Sequence, residues 1–392
     1  MSIKWKVLSA AAAASILFAG CANDSATKQN AEAKNTAETA KKESTEEKQL
    51  TEAQIIQAYK DGVAELDKAK QGQAVDFDKV IKLYKENLQA LVQKRDAEFS
   101  EQIDQTLVAA LEAGKKNEMD PIVARQVFDK LLQKEFYQTM KHEFVEIDEN
   151  WGKKEEATKE YEEAVNFYKA IEGTVVKRDT ANGTNMVDTI NAGFGEIKAA
   201  IDKGDKLSFA LGKQIVDKTL MKTFYLATAS TNGYANKAAE TAKTNEKEAK
   251  VQQAEGWAFY QSVYPYVKKH ASEEGDFILK QFDLQTDVKT LDAQAVNKAF
   301  IRGLAKVALH EYEESKENFD QDKGVITALE GALFINMIEK DMQALIGEQE
   351  TKALTTKAQA YLEAAKAKDK AQAESLMAEL EAGLNKVVAA AK

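Results

Sequence analysis

Apolar side chains recur every fourth residue at Phe128, Leu132, Phe136, Met140 and Phe144, with Val127 and Leu131 beside them. Spacing close to the helical period gathers these onto one face, so the stretch predicts a long amphipathic α-helix. Asp120-Pro121 supplies its start, an aspartate able to cap free N–H groups followed by a proline that has none to waste. The same period runs from about residue 51 to 392, where Pro121 and Pro265 are the only prolines. It predicts an all-α chain of about a dozen helices, without strands, turning near Gly72, Gly114, Gly183, Gly204 and Asp287.

The pattern also repeats itself. One helix signature occurs as Lys79-Val-Ile-Lys-Leu-Tyr84, Glu163-Ala-Val-Asn-Phe-Tyr168, Glu255-Gly-Trp-Ala-Phe-Tyr260 and Glu330-Gly-Ala-Leu-Phe-Ile335, at spacings of 84, 92 and 75 residues. The first three are followed by basic helix ends, Arg95, Arg178 and His270. A later helix recurs as Gln126-Val-Phe-Asp-Lys130, Gln214-Ile-Val-Asp-Lys218 and Gln294-Ala-Val-Asn-Lys298. Repeats of this length hold about four helices, which bury their apolar faces on neighbours as antiparallel bundles or as a helical array. Four units are expected, at 51–150, 151–235, 236–321 and a partial one at 322–392.

The N-terminus carries a different pattern. Lys4 and Lys6 precede an apolar stretch from Val7 to Ala19, which has the order and length of a secretory signal and is too short to span a bilayer. Leu17-Phe18-Ala19-Gly20-Cys21 resembles the lipobox of bacterial lipoproteins. That resemblance implies cleavage of 1–20, a lipidated Cys21 and anchorage at the extracytoplasmic face of a membrane. Acyl chains in pairs hold a protein durably where one chain does not. Cys21 is the only cysteine, so disulfides and thiol chemistry are excluded. Residues 21–50 have almost no apolar side chain larger than alanine and read as a flexible tether of roughly 30 Å typical reach. Composition points to a Gram-positive cell surface, and Ala22 leaves an outer membrane open.

Loss of Lys4 and Lys6 takes the formal charge from −10 to −12. An acidic chain is a poor partner for nucleic acid or anionic lipid. Metal cations, basic peptides and cationic wall polymers stay in play.

Candidate chemistry is sparse. Residues 126–151 align on 294–319 without a gap, which matches His142, Glu146 and Glu149 to His310, Glu314 and Glu317. Each set falls on one helix face, and an imidazole with a carboxylate at i+4 can chelate a divalent or ferric cation. Ordinary surface ion pairing is the plainer reading, and the middle unit has Ser230 at the histidine position. Glu163, Tyr168, Glu255 and Tyr260 recur at matching places and would line a groove for sugar or peptide if they are not core contacts. No phosphate loop, nucleophile elbow or His-Glu-x-x-His helix is present, so an enzyme is not expected.

The run Glu255-Gly-Trp-Ala-Phe-Tyr-Gln-Ser-Val-Tyr-Pro-Tyr-Val-Lys-Lys, echoed from Glu163 to Asp179, resembles helical segments of extracytoplasmic proteins associated with bacterial high-affinity iron permeases. The imelysin-type iron-uptake lipoproteins carry a His-x-x-Glu motif, which His310 meets with Glu313 and His142, followed by Val145, does not. The resemblance implies iron handling beside a transporter. The residues themselves predict a non-enzymatic lipoprotein that binds or scaffolds a protein or wall component. Its cofactor would be none beyond the covalent lipid, or a metal in the alternative reading.

Overall fold

A computed structural model describes residues 50–392; the signal segment, Cys21 and all but the last residue of the tether lie outside that range. Sixteen α-helices and two short 3-10 turns make up the described chain, with no strand among the described residues. The first group is α1 (Glu52–Leu66), α2 (Phe77–Asn87), α3 (Gln89–Phe99) and α4 (Ile103–Lys115), which pack around the start of α5 (Pro121–Glu149). Next come α6 (Lys154–Asn182), α7 (Met186–Lys203) and α8 (Lys206–Thr228). Short helices follow, α9 (Tyr234–Thr241), α10 (Glu246–Tyr260), α11 (Tyr264–His270) and α12 (Ser272–Phe282). The chain closes with α13 (Ala293–Glu317), α14 (Asp322–Ile346), α15 (Glu348–Ala367) and α16 (Lys370–Ala390).

Local chemistry sets these limits. Asp120 accepts from the Ile122 N–H with Pro121 in the first turn, and Asp205, Asp292 and Asp369 cap α8, α13 and α16 in the same manner. Thr51 and Gln54 form a reciprocal capping box at α1. Gly183 and Gly204 end α6 and α7 at φ values of 66° and 69°, a left-handed turn that costs glycine little. The sixteen helices exceed the expected dozen because Leu88 separates α2 from α3, and Gln261–Val263 and Ala271 divide one periodic stretch into α10, α11 and α12. The expected boundary at 150/151 lies in the α5–α6 turn and that at 321/322 at the α13–α14 turn, while 235/236 lies inside α9.

Short turns make neighbours antiparallel. Helices α5 to α8 form one four-helix bundle, and α13 to α16 form another, closed by contact between α13 and α16. Helix α10 lies across α5 and α8, and α14 packs on α8, so the two bundles are joined through shared long helices. Helix α5 is therefore covered on all sides, and every residue from Val123 to Met140 is buried. A helix buried all round must find partners for its polar side chains inside the protein.

No helix among the described residues is long and apolar enough to cross a membrane.

Candidate functional site

Part of this buried polar set is met by an interlock that occurs twice, while both Glu135 carboxylate oxygens find no hydrogen-bond partner among the described residues. In the first, Asp129 on α5 accepts from Tyr59 Oη (2.5 Å), Gln133 Nε2 (2.8 Å), Arg125 Nη1 (2.7 Å) and Lys130 Nζ (2.7 Å). Burial alone would raise the Asp129 pKa, but Lys130 and Arg125 outweigh it and hold the carboxyl well below the usual range. Lys130 then reaches Glu255 of α10 at 3.6 Å, with its ammonium 5.1 Å from the Phe259 ring centroid. Tyr234 stacks on Phe259, and Arg178 lies over Tyr234.

The second interlock repeats the first in the next copy of the signature. Asp217 on α8 accepts from Tyr137 Oη (2.5 Å) and Lys218 Nζ (2.8 Å), and Lys218 reaches Glu330 of α14 at 3.8 Å. Burial depresses the Lys218 pKa, but Asp217 and Glu330 reverse this and raise it; burial pushes Glu330 up to about 8. Tyr266 stands where Tyr234 stands, 5.3 Å from Phe334, and His270 stands where Arg178 stands, 5.0 Å from Tyr266. The glycine after each glutamate has a reason as well. A Cβ on Gly256 would lie 2.3 Å from the Phe282 ring, and one on Gly331 would lie 2.8 Å from the Tyr312 ring. A bare backbone at these positions lets α10 pack against Phe282 of α12 and α14 against Tyr312 of α13.

The third copy, Gln294-Ala-Val-Asn-Lys298, is built differently. Asn297 replaces the aspartate and accepts from the Ser230 N–H (3.0 Å). Lys298 donates to a main-chain oxygen of Lys392 (2.9 Å) and has no side-chain carboxylate partner among the described residues. Tyr225 keeps the tyrosine position but donates to Asp341 of α14 (2.5 Å). Burial raises the Asp341 pKa, against lowering contributions from Tyr225 and Ser230. Ser230, at φ 64°, is a buried non-glycine residue in the left-handed region, held there by Asn297 and by Asn236, which donates to its carbonyl (2.5 Å). With nothing stacked over this copy, α9, α13 and α14 leave an open cleft of about 780 Å³, within the roughly 300–1,000 Å³ range of small-ligand sites. Gln294, Asn297 and Lys298 line it from α13, Lys237 and Glu240 from α9, and Asp341 from α14.

The residues singled out by sequence lie elsewhere. His142 is half-buried, with Nδ1 3.1 Å from Glu98 Oε2 and Nε2 3.8 Å from Glu146, while Glu149 is exposed. His310 lies 3.6 Å from Glu314, which also pairs with Lys323 (3.1 Å), and Glu317 is exposed. The His310 ring packs on His270 with centroids 4.6 Å apart, and burial and His310 push His270 down to about 4. Tyr168 and Tyr260 are wholly buried, against Phe194 and Phe300, so their repeated rings are core contacts and do not line a groove. Glu255 faces Lys130. Glu163 comes together with Glu143 and Glu160, their carboxylate oxygens within 4.8 Å of one another, and burial with the two neighbouring acids pushes Glu143 up to about 9.

Sequence reasoning found Gln294, Asn297 and Lys298 only as repeat markers. The change of aspartate to asparagine at 297 was the available signal. Asp341, Lys237 and Glu240 belong to no repeat and carried none. Comparison with protein-family models, curated proteins and solved structures finds no match to this chain.

Proposed function

We propose that the protein is a membrane-anchored extracytoplasmic lipoprotein that binds a small polar ligand without chemical turnover. The lipobox around Cys21 supports the anchor. The observation that carries the binding role is the contrast among the three copies of one signature: Lys130 and Lys218 are buried against Glu255 and Glu330, whereas Lys298 opens into the cleft. The cleft gathers side chains from α9, α10, α13 and α14, and convergence of several packed helices is what a preformed site needs.

Two measurements test this. Cys21→Ala should abolish metabolic labelling with palmitate and release the protein from the membrane fraction. A thermal-shift panel of peptides, wall-derived glycans and metal ions should contain a compound that raises the melting temperature of the full chain and loses that effect in Lys298→Met. A shift that survives Lys298→Met moves the site away from the cleft.

A second reading, a cation-binding lipoprotein serving an uptake system, is favoured by the converging carboxylates of Glu143, Glu160 and Glu163, of which Glu143 directly follows His142 of the His142–Glu98 pair. Manganese, zinc or iron should then raise the melting temperature, and Glu163→Gln should remove the effect.

A further inference from the structure

We infer that the α9/α13/α14 cleft takes a short zwitterionic peptide, its amino end at Asp341 and its carboxyl end at Lys298. The inference rests on reading the cleft as the binding site and names the ligand class. The lining carries two cations, Lys237 and Lys298, and two carboxylates, Glu240 and Asp341, contributed by three different helices. A ligand of one sign would gain one pair and be repelled by the other, whereas a zwitterion finds a partner for each end.

The hydrogen-bonding capacity left open has the same character. Asp341 accepts from the Tyr225 hydroxyl and feels Lys340 and Lys222 only at a distance, with no ion pair among the described residues, so an ammonium group would supply a direct charge partner. The Oε1 of Gln252, which also lines the cleft, is buried with no donor and calls for an N–H. Lys298 spends one N–H on a main-chain oxygen of Lys392 and keeps two for a ligand carboxylate. Carboxylates, ammonium groups and amide side chains on one lining match the two ends and the middle of a peptide.

Other ligand classes fit less well. No aromatic ring lines the cleft, so a sugar or a nucleobase has no face to stack on. Ile301 and Leu345 instead offer a small apolar wall suited to an aliphatic side chain.

The experiment is titration calorimetry on the full chain in detergent with three probes: tri-alanine, the same peptide N-acetylated and C-amidated, and the trimer of N-acetylglucosamine. Tri-alanine should bind, blocking both ends should weaken it about tenfold or more, and the sugar should not bind. Asp341→Asn and Lys298→Met should each weaken tri-alanine about tenfold. Lys237→Met, at an exposed position away from the Tyr225 and Ser230 contacts, serves as a third variant should Asp341→Asn fold poorly. Equal binding of free and blocked peptide, or sugar binding that Lys298→Met abolishes, overturns the zwitterionic class and leaves the cleft as the site. Tri-alanine binding that none of the three variants alters overturns the cleft itself. Absence of tri-alanine binding at about 10 mM overturns the inference.

Discussion

The two closed copies of the Gln-x-x-Asp-Lys signature and the open third copy use almost the same residues for opposite ends. Where a glutamate from a later helix meets the lysine, the whole group disappears into the interior, and Asp129 accepts from four donors and Asp217 from two. Where that glutamate is missing, the aspartate has become Asn297, and the acid for the repeated tyrosine comes from Asp341 on another helix. A structural interlock and a binding cleft thus differ by whether the next element supplies the counter-charge. A buried charge pair is costly to desolvate and tolerable only when every group is satisfied, so the open copy could not keep the aspartate–lysine pair at no cost.

The sharpest way to break this contrast is to remove one charge from each kind of copy. Asp217→Ala leaves Lys218 buried with one distant carboxylate and should cost about 3–5 kcal/mol, whereas Asn297→Ala loses one hydrogen bond and should cost about 0.5–1.5 kcal/mol, both measured by urea unfolding. Comparable losses would mean that the two copies carry load equally.

The close helix approach beside each interlock glutamate is tested next. Gly256→Ala and Gly331→Ala should each cost about 1–3 kcal/mol, because rigid rings of Phe282 and Tyr312 block the added carbon. Unchanged unfolding midpoints would show that the helices can retreat without loss.

Proton linkage gives a third contrast, between the interlocks and the acid group that has no buried lysine. Folded Glu143, pushed up to about 9 from an ordinary 4.5, holds its proton more tightly than the unfolded chain does. Its contribution is fully present below 4.5 and is lost as pH rises toward 9. The melting temperature should therefore fall between pH 5 and 9, and Glu143→Gln should flatten that fall. An unchanged slope in the variant would assign the dependence to Glu330 or Glu135, which burial raises in the same direction.

The smallest effect is expected at the surface. His142→Ala removes a half-exposed pair with Glu98 and should change stability by no more than about 0.5 kcal/mol.

Much of this fold was legible in the residues. The four-residue spacing from Phe128 to Phe144 and the Asp120-Pro121 start marked α5, and two copies of the signatures marked the helices that carry the matching pairs Lys130–Glu255 and Lys218–Glu330. Periodicity could not show that α5 is buried all round, because its polar residues are hidden by pairing with helices far along the chain. Tyr59 and Asp129 are one example, Lys130 and Glu255 another. The same reason hid the cleft. Asp341 meets Tyr225 across 116 residues, and nothing local distinguishes it from other acids on the surface. His142 drew attention by its i+4 glutamate, yet the nearer partner is Glu98 on a different helix.

Each interlock spans a long stretch of chain: Lys130 of α5 reaches Glu255 of α10, and Lys218 of α8 reaches Glu330 of α14. The two spans overlap like courses of brick, with no straight joint between them. A chain emerging from its N-terminus cannot complete either pairing until a segment more than a hundred residues further on has been made. Until then Lys130 and Lys218 lack their final counter-charge, and the two halves must mature together rather than one after the other.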